Sequence, residues 1–260
     1  MSVTIERKGP VGTVILERPE SRNAVDGPTA EALYQAFTDL DNDDEIAVCV
    51  LWGSGGTFCS GADLKAVGTE RMNKVEPEGA GPMGPTRIVM SKPVIAAVEG
   101  HAVAGGLELA LWCDLRIAAE SSSFGVFCRR WGVPLIDGGT VRLGRVVGLG
   151  HAMDMILTGR EVSADEARTM GLANRIVADG EARAVAEVLG YEIAQFPQTC
   201  MRNDRRSAID SLGMPFEDAM RHEFELGIDT IGSGETAAGA SRFRTGEGRH
   251  GVFEHREIVA

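Results

Sequence analysis

Ala102-Val103-Ala104-Gly105-Gly106-Leu107-Glu108-Leu109-Ala110-Leu111-Trp112-Cys113-Asp114 is the stretch on which the reading of this chain turns. Small residues and two glycines lead into an apolar run that reads as a helix. Glycine lets a backbone approach a ligand closely, and a helix start presents unpaired N–H groups with partial positive charge. The combination suits an oxygen that gains negative charge during a reaction. Glu108 follows Gly105 by three residues, about one turn of a 3.6-residue helix, so an acid–base group stands beside that anion site. The plain alternative is that the glycines only permit tight helix packing. Leu107, Leu109, Ala110 and Leu111 surround Glu108 with apolar neighbours, and a carboxylate in such company points to function.

A companion lies upstream in Phe58-Cys59-Ser60-Gly61-Ala62-Asp63-Leu64. Both segments read as strand, glycine loop, then helix start. One backbone N–H from each, at Ala62 and Gly105, is placed to converge on a single carbonyl oxygen. Two fixed donors of this kind matter to a barrier, since losing one typically costs about 2.7–4 kcal/mol.

Around these loops the chain alternates strands and helices. Val3 to Arg7 and Thr13 to Leu16 read as paired strands across Gly9-Pro10-Val11-Gly12, and a helix follows Asp26-Gly27-Pro28. Ile46 to Trp52, Pro93 to Val98 and Leu115 to Ala119 are short apolar runs, read as buried strands. Alternation implies an α/β layer architecture. Beyond Gly148 the pattern turns helical, with a capping box at Ser163-Ala164-Asp165-Glu166, a short strand from Asn174 to Val177, and helices over Ala182–Gln195, Pro197–Ile209 and Pro215–Ile231. We expect a core over residues 1–200 and a C-terminal helical region over 201–260. Gly68 through Pro85 is rich in Gly, Pro and charge without periodicity. It is expected to be the least ordered segment, either a surface loop or an active-site lid.

Lys plus Arg total 26 against 38 Asp plus Glu, a formal charge of -12. That balance argues against nucleic acid or an anionic membrane as partner, and a phosphate-bearing ligand would need local cations such as Arg22, Lys65 or Lys92. The five cysteines are scattered without C-x-x-C spacing, which speaks against a disulfide framework or a zinc site and for a reducing cytosol. The polar start Met1 to Arg7 is unlike a secretory leader, and the apolar runs are too short to span a bilayer. A soluble cytoplasmic protein is expected, with no metal. His101 and His151 lack a partner at triad or ligand spacing and read as structural. Arg242 to Gly251 is basic and glycine-rich, suited to a neighbour's ligand site or a plain subunit contact.

The ordered series of motifs resembles the crotonase superfamily of enoyl-CoA hydratases and isomerases. It runs through Arg18-Pro19, Asn23-Ala24, Gly53 to Leu64, Lys92 to Ala96, Gly105 to Asp114, Phe124-Gly125, Gly132-Val133-Pro134, Gly138 to Leu143 and Leu157-Thr158-Gly159. The resemblance implies a spiral of repeated ββα units whose C-terminal helices help assemble a homotrimer or a dimer of trimers. It implies an acyl-CoA thioester as substrate, so that coenzyme A arrives with the substrate and no separate cofactor is needed. Ala62 and Gly105 become the oxyanion donors and Glu108 the principal acid–base residue. Arg22, Ala24, Ala62, Asp63 and Leu64 match stretches that line the CoA moiety, largely through the main chain, although the residue-level reading of Asp63 is a helix cap.

One departure bears on the reaction. Hydratases of this family hold one water between two glutamates, and the second glutamate's position is occupied by Cys128. A thiol is a weak donor and acceptor, mostly protonated near neutrality unless perturbed, and Arg129 and Arg130 are the cations beside it. Asp137, three residues before Thr140, matches an aspartate of the family's dienoyl-CoA isomerases and is the candidate partner for Glu108. An aspartate before Gly-Gly-Thr is also an ordinary turn or cap residue. Hydration of a 2-enoyl-CoA is the leading reading, followed by isomerisation of an enoyl- or dienoyl-CoA and then thioester hydrolysis. The non-enzymatic alternative is an acyl-CoA binding protein, which has no need of Glu108.

Overall fold

A computed structural model describes residues 2–248. β1 (Val3–Lys8) and β2 (Val11–Leu16) pair antiparallel across the Gly9-Pro10 turn. Asp26 then opens α1 (Gly27–Asp41), its Oδ1 accepting from Thr29 N at 3.0 Å and Thr29 Oγ1 at 2.7 Å. Burial pushes the Asp26 carboxyl up, but the Thr29 bonds and the Arg71 and Arg18 guanidiniums on its other oxygen outweigh burial and hold it below its ordinary value. The inner face of α1 carries Leu33, Phe37 and Leu40, all fully buried, at the spacing expected of one helical stripe.

The strands and helices that follow are β3 (Val48–Gly53), β4 (Val94–Val98), β5 (His101–Val103), α2 (Gly105–Trp112), β6 (Leu115–Ala119), β7 (Ser123–Gly125), α3 (Gly139–Thr158), β8 (Val162–Ser163), α4 (Ala164–Thr169), β9 (Arg175–Val177) and α5 (Ala182–Ala194). Six strands form one sheet in the order β1-β2-β3-β4-β6-β9, parallel from β2 onward. Its central strands are buried on both faces, as crossover-connected parallel strands are. A second, three-stranded sheet has the order β5-β7-β8. Lone bridges between Cys59 and Ala102 and between Ala62 and Val25 extend this second layer. The chain therefore repeats one device: a strand in the large sheet, an extended piece in the small layer, then a helical segment. This is the ββα repeat that the family resemblance implies.

Residues 1–190 form one compact unit and a second begins at Tyr191. The second unit contains α6 (Gln198–Asp210), α7 (Phe216–Gly232) and α8 (Glu235–Thr245), with α7 packed on both of its neighbours. The Glu235 carboxylate accepts from Thr199 N at 3.0 Å and Cys200 N at 2.8 Å, closing the start of α6. Of the basic stretch from Arg242 to Gly251, residues 249–251 lie outside the described residues.

Several local expectations are revised. Only half of the capping box forms: Ser163 Oγ accepts from Glu166 N at 3.3 Å, while the Glu166 carboxylate turns to Arg160. Gly68 through Pro85 has no long helix or strand, yet it is tied down by specific bonds. Arg71 binds Asp26, and Asn73 Nδ2 donates to Val25 O at 3.1 Å and Pro82 O at 2.8 Å. α3 bends at Gly148, whose φ of 78° and ψ of 155° leave the helical region.

The two motif loops abut because Gly106 has no side chain. A Cβ there would lie 2.0 Å from the carbonyl oxygen of Cys59, and a backbone oxygen cannot swing aside as a flexible side chain can. Gly106→Ala is expected to destabilise the protein by about 1–3 kcal/mol through overpacking. Thermal unfolding followed by circular dichroism checks this, and an unchanged midpoint would refute the close-approach argument.

Candidate active site

The small layer supplies the floor of the site. Side chains alternate along extended chain, so Ala102 of β5 points into the core while His101 and Val103 line a cavity, as do Ser60 and Ala62 from the neighbouring loop. The cavity has a volume of about 480 Å³. Val67, Met72, Val75 and Met83 wall one side of it, and Phe127, Trp131, Val133 and Ile136 another, so most of its lining is apolar. The segment 68–85 thus contributes a wall of the cavity.

Both expected N–H donors stand at this cavity. Val25 N donates to Gly61 O at 2.8 Å and Asp63 N donates to Val25 O at 2.9 Å. In a parallel pairing those bonds use the residues on either side of Ala62, so the N–H of Ala62 itself points to the opposite side. Gly105 is the first residue of α2, where N–H groups lack helical partners. The loops touch here: a Cβ on Gly61, whose φ is +98°, would sit 2.8 Å from Gly105 N. The residue that aims Gly105 is Ala104, with φ 54° and ψ -126°. A non-glycine in such a region costs on the order of 1–3 kcal/mol and persists only where its surroundings hold it. Here the Ala104 N–H donates to Gly125 O at 2.9 Å.

Glu108 lies one turn into α2, 3% exposed. Its Oε1 accepts from Asp137 N at 2.9 Å and from Gly139 N at 2.8 Å, at the start of α3. Among the described residues its Oε2 accepts nothing. Burial dominates over these donors, and the charge of Asp137 adds to it, so the Glu108 carboxyl is pushed up to about 7. Asp137, 4% exposed, also lines the cavity. Its Oδ1 accepts from Met83 N at 2.9 Å and Thr86 Oγ1 at 2.5 Å, and burial again raises it above its ordinary value. Arg142 sits behind the pair, donating to the carbonyls of Asp137 at 2.9 Å and Thr86 at 2.7 Å.

The remaining candidates separate clearly. Cys128 lines the cavity beside these carboxylates, and burial, reinforced by the Glu108 charge, raises its thiol so that it stays neutral. Arg22 and Leu64 line the cavity with exposed side chains. Ala24 and Asp63 stand behind the wall. The Ala24 carbonyl accepts from Arg18 Nη1 at 2.5 Å, and Asp63 caps Lys65 N at 3.1 Å while binding Arg18 through its other oxygen. Lys92 is buried, with Nζ on the carbonyls of Leu40 and Asp43 at 2.7 and 2.6 Å, so it anchors the end of α1. Lys65 is exposed.

Arg129 and Arg130 bind the carbonyls of Ile156 and Gly159 at the end of α3, and Arg130 stacks on Phe127 at 3.9 Å. His101, read from sequence as structural, lines the cavity, with Nδ1 2.6 Å from Ser123 Oγ. His151 is exposed on α3. Among the described residues no three His, Cys, Asp or Glu side chains gather as a metal site.

Sequence reasoning missed Thr86, Met83 and Arg142. Gly81 and Gly84 flanking Met83 were a signal for a tight turn. Arg142 in the first turn of a helix, where a cation opposes the helix dipole, was a signal for a nearby buried carboxylate.

A largely apolar cavity brings together Ala62, Gly105 and the two buried carboxyls of Glu108 and Asp137, and is the candidate active site. Residues 6–254 match the family model described as enoyl-CoA hydratase/isomerase. The chain is 35% identical to enoyl-CoA hydratase EchA19 of Mycobacterium tuberculosis over 259 residues, covering 97% of this chain and 96% of the relative. It is 31% identical over 229 residues to a short-chain-enoyl-CoA hydratase of Clostridium acetobutylicum, covering 86% and 87%. The crystal structure of enoyl-CoA hydratase EchA1 from Mycobacterium marinum superposes with a TM-score of 0.89 at 32% identity, covering 94% of this chain and 96% of that one. The chain belongs to the enoyl-CoA hydratase/isomerase family, within the crotonase superfamily.

Because Glu108 has a folded-state value of about 7 against an ordinary 4.5, it favours the folded state fully only below about pH 4.5, where it is protonated in both states. That contribution is lost as pH rises through 7, by up to about 3 kcal/mol at 1.36 kcal/mol per pH unit. Urea unfolding at pH 5 and pH 8 is expected to show Glu108→Gln gaining on the parent as pH rises. Equal pH slopes for parent and variant would contradict the assignment.

Proposed function

We propose that the protein is an enoyl-CoA hydratase that adds water to a 2-enoyl-CoA thioester. The observation that carries this reading is the meeting of Ala62 N–H, Gly105 N–H, Glu108 and Asp137 on one largely apolar cavity. The thioester oxygen accepts from the two N–H groups. Water attacks C3 while one carboxylate takes its proton, and the C2=C3 electron pair shifts to leave an enolate on the thioester oxygen. The protonated carboxyl then delivers its proton to C2 and the carbonyl re-forms, so one water has been added. Burial raises both carboxyls above their ordinary values, and Glu108, at about 7, is suited to take and return a proton near neutrality. Cys128, a neutral thiol, leaves Asp137 as the partner of Glu108.

The same cysteine favours a second reading, isomerisation of an enoyl- or dienoyl-CoA, which needs a proton moved between carbons and no bound water. In either case Arg22 and the Ala62–Leu64 backbone hold the CoA part of the substrate, Lys65 adds a cation nearby, and no further cofactor takes part. A homotrimer, or a dimer of trimers, is supported by the apolar stripe on α7, where Phe216, Met220, Phe224, Ile228 and Ile231 are exposed. Among the described residues no helix is long and apolar enough to cross a membrane. All five cysteines are free thiols, which supports a cytoplasmic setting.

Loss of the conjugated thioester absorbance on mixing with a short-chain 2-enoyl-CoA is the expected result. Persistence of that signal, together with its appearance from a 3-enoyl-CoA, would instead establish the isomerase. Glu108→Gln and Asp137→Asn are each expected to lower kcat by about 10²–10⁴-fold, whereas Cys128→Ser changes it little. Phe224→Asp is expected to shift the protein toward monomer in sedimentation velocity; an unchanged assembly would remove α7 from the interface.

A further inference from the structure

Thr86 belongs to the carboxylate network without lining the cavity or carrying charge. It is 1% exposed, in the single helical turn Pro85–Arg87 that ends the wall segment. Its hydroxyl and Met83 N–H both fall on Asp137 Oδ1, at 2.5 and 2.9 Å. Among the described residues Asp137 Oδ2 accepts nothing, so Oδ2 is the oxygen left for the cavity. The Thr86 carbonyl accepts from Arg142 Nη2, and Arg142 Nη1 donates to the Asp137 carbonyl. Gly81 leaves room for this contact, since a Cβ there would lie 2.0 Å from Thr86 Oγ1 and 2.6 Å from Asp137 Oδ1.

We propose that Thr86 is a positioning residue for the second acid–base carboxylate: its hydroxyl, donated to Asp137 Oδ1, fixes the carboxyl plane so that Oδ2 serves the reacting carbons. The same turn joins the placement of the wall segment 68–85 to the placement of the acid. The inference rests on the role given to Asp137 above. A hydroxyl donated to a carboxylate favours its ionised form, so Thr86 also sets the proton affinity of Asp137. The groups facing the carboxylate pair are Glu108 itself from α2, Arg142 from α3, Arg87 from the Pro85–Arg87 turn, and Cys128 from the segment Phe127–Trp131.

The test is a double-mutant cycle with Asp137 in the full-length protein, assayed by turnover of a 2-enoyl-CoA. Thr86→Val is expected to lower kcat by about 10–100-fold, the scale of an ångström-size misplacement, with KM little changed. Its pH–rate bell should move to higher pH, because the ionised pair loses a donor. Thr86→Ser should restore both kcat and the pH profile. In the Asp137→Asn background, Thr86→Val should cost little more. Unchanged kcat and pH profile in Thr86→Val, or losses that simply multiply with Asp137→Asn, would overturn the proposal while leaving Asp137 in place. Full activity in Asp137→Asn would instead overturn the underlying reading. If Thr86→Val does not fold, Thr86→Ala removes the hydroxyl without added bulk and carries the same expectations.

Discussion

Everything at this site depends on keeping a carboxylate inside an apolar helix. All eight residues of α2 are buried, and Glu108 is the only one with an ionisable side chain. An uncompensated carboxylate there would be prohibitive. The compensation comes from the main chain, as the Asp137 and Gly139 N–H groups close on one oxygen. Those two donors sit at the mouth of α3, so the register of α3 against α2 is set by the same bonds that make the acid tolerable. The second carboxylate is held by equivalent means, one oxygen tied to a backbone N–H and a hydroxyl. Each acid thus has one tied oxygen and one left over.

On the reading proposed above, this arrangement lets Asp137 stand in for the second glutamate that Cys128 replaces. Residue 128 holds a neutral thiol, so negative charge in the cavity is confined to two carboxyls whose shared residue is Asp137. Its N–H binds Glu108 while its own side chain reaches Thr86 and Met83. The two acids are mechanically linked through one peptide, and a displacement of the loop before α3 moves both.

Much of this was legible in the sequence because period and punctuation are local signals. The paired glycine loops, the Asp26 cap and the apolar strands each declare themselves within a few residues. Glu108 was visible for the same reason, as a carboxylate among leucines. The failures were of two kinds. Lys92 reads from sequence as a local cation available to a phosphate, yet its burial against the Leu40 and Asp43 carbonyls depends on residues about fifty positions away. Thr86 and Arg142 earned no attention because their meaning lies in contacts to Asp137 across distant sequence. The small β5-β7-β8 sheet escaped notice because strands of two or three residues are too short to show a period.

The unusual backbone of Ala104 has one more consequence. Its conformation is held by the surrounding fold and by the bond to Gly125. On the proposed reaction, the Gly105 donor is therefore aimed by the fold itself. Solvent must rearrange its dipoles around a nascent enolate, whereas on that reading this site would complete the reorganisation during folding. A planar neutral carbonyl gains only part of the benefit, and the charged intermediate gains all of it. The strain at one alanine is a cost met once, in folding, and what it secures on the proposed reaction is a donor already in place for the charged intermediate.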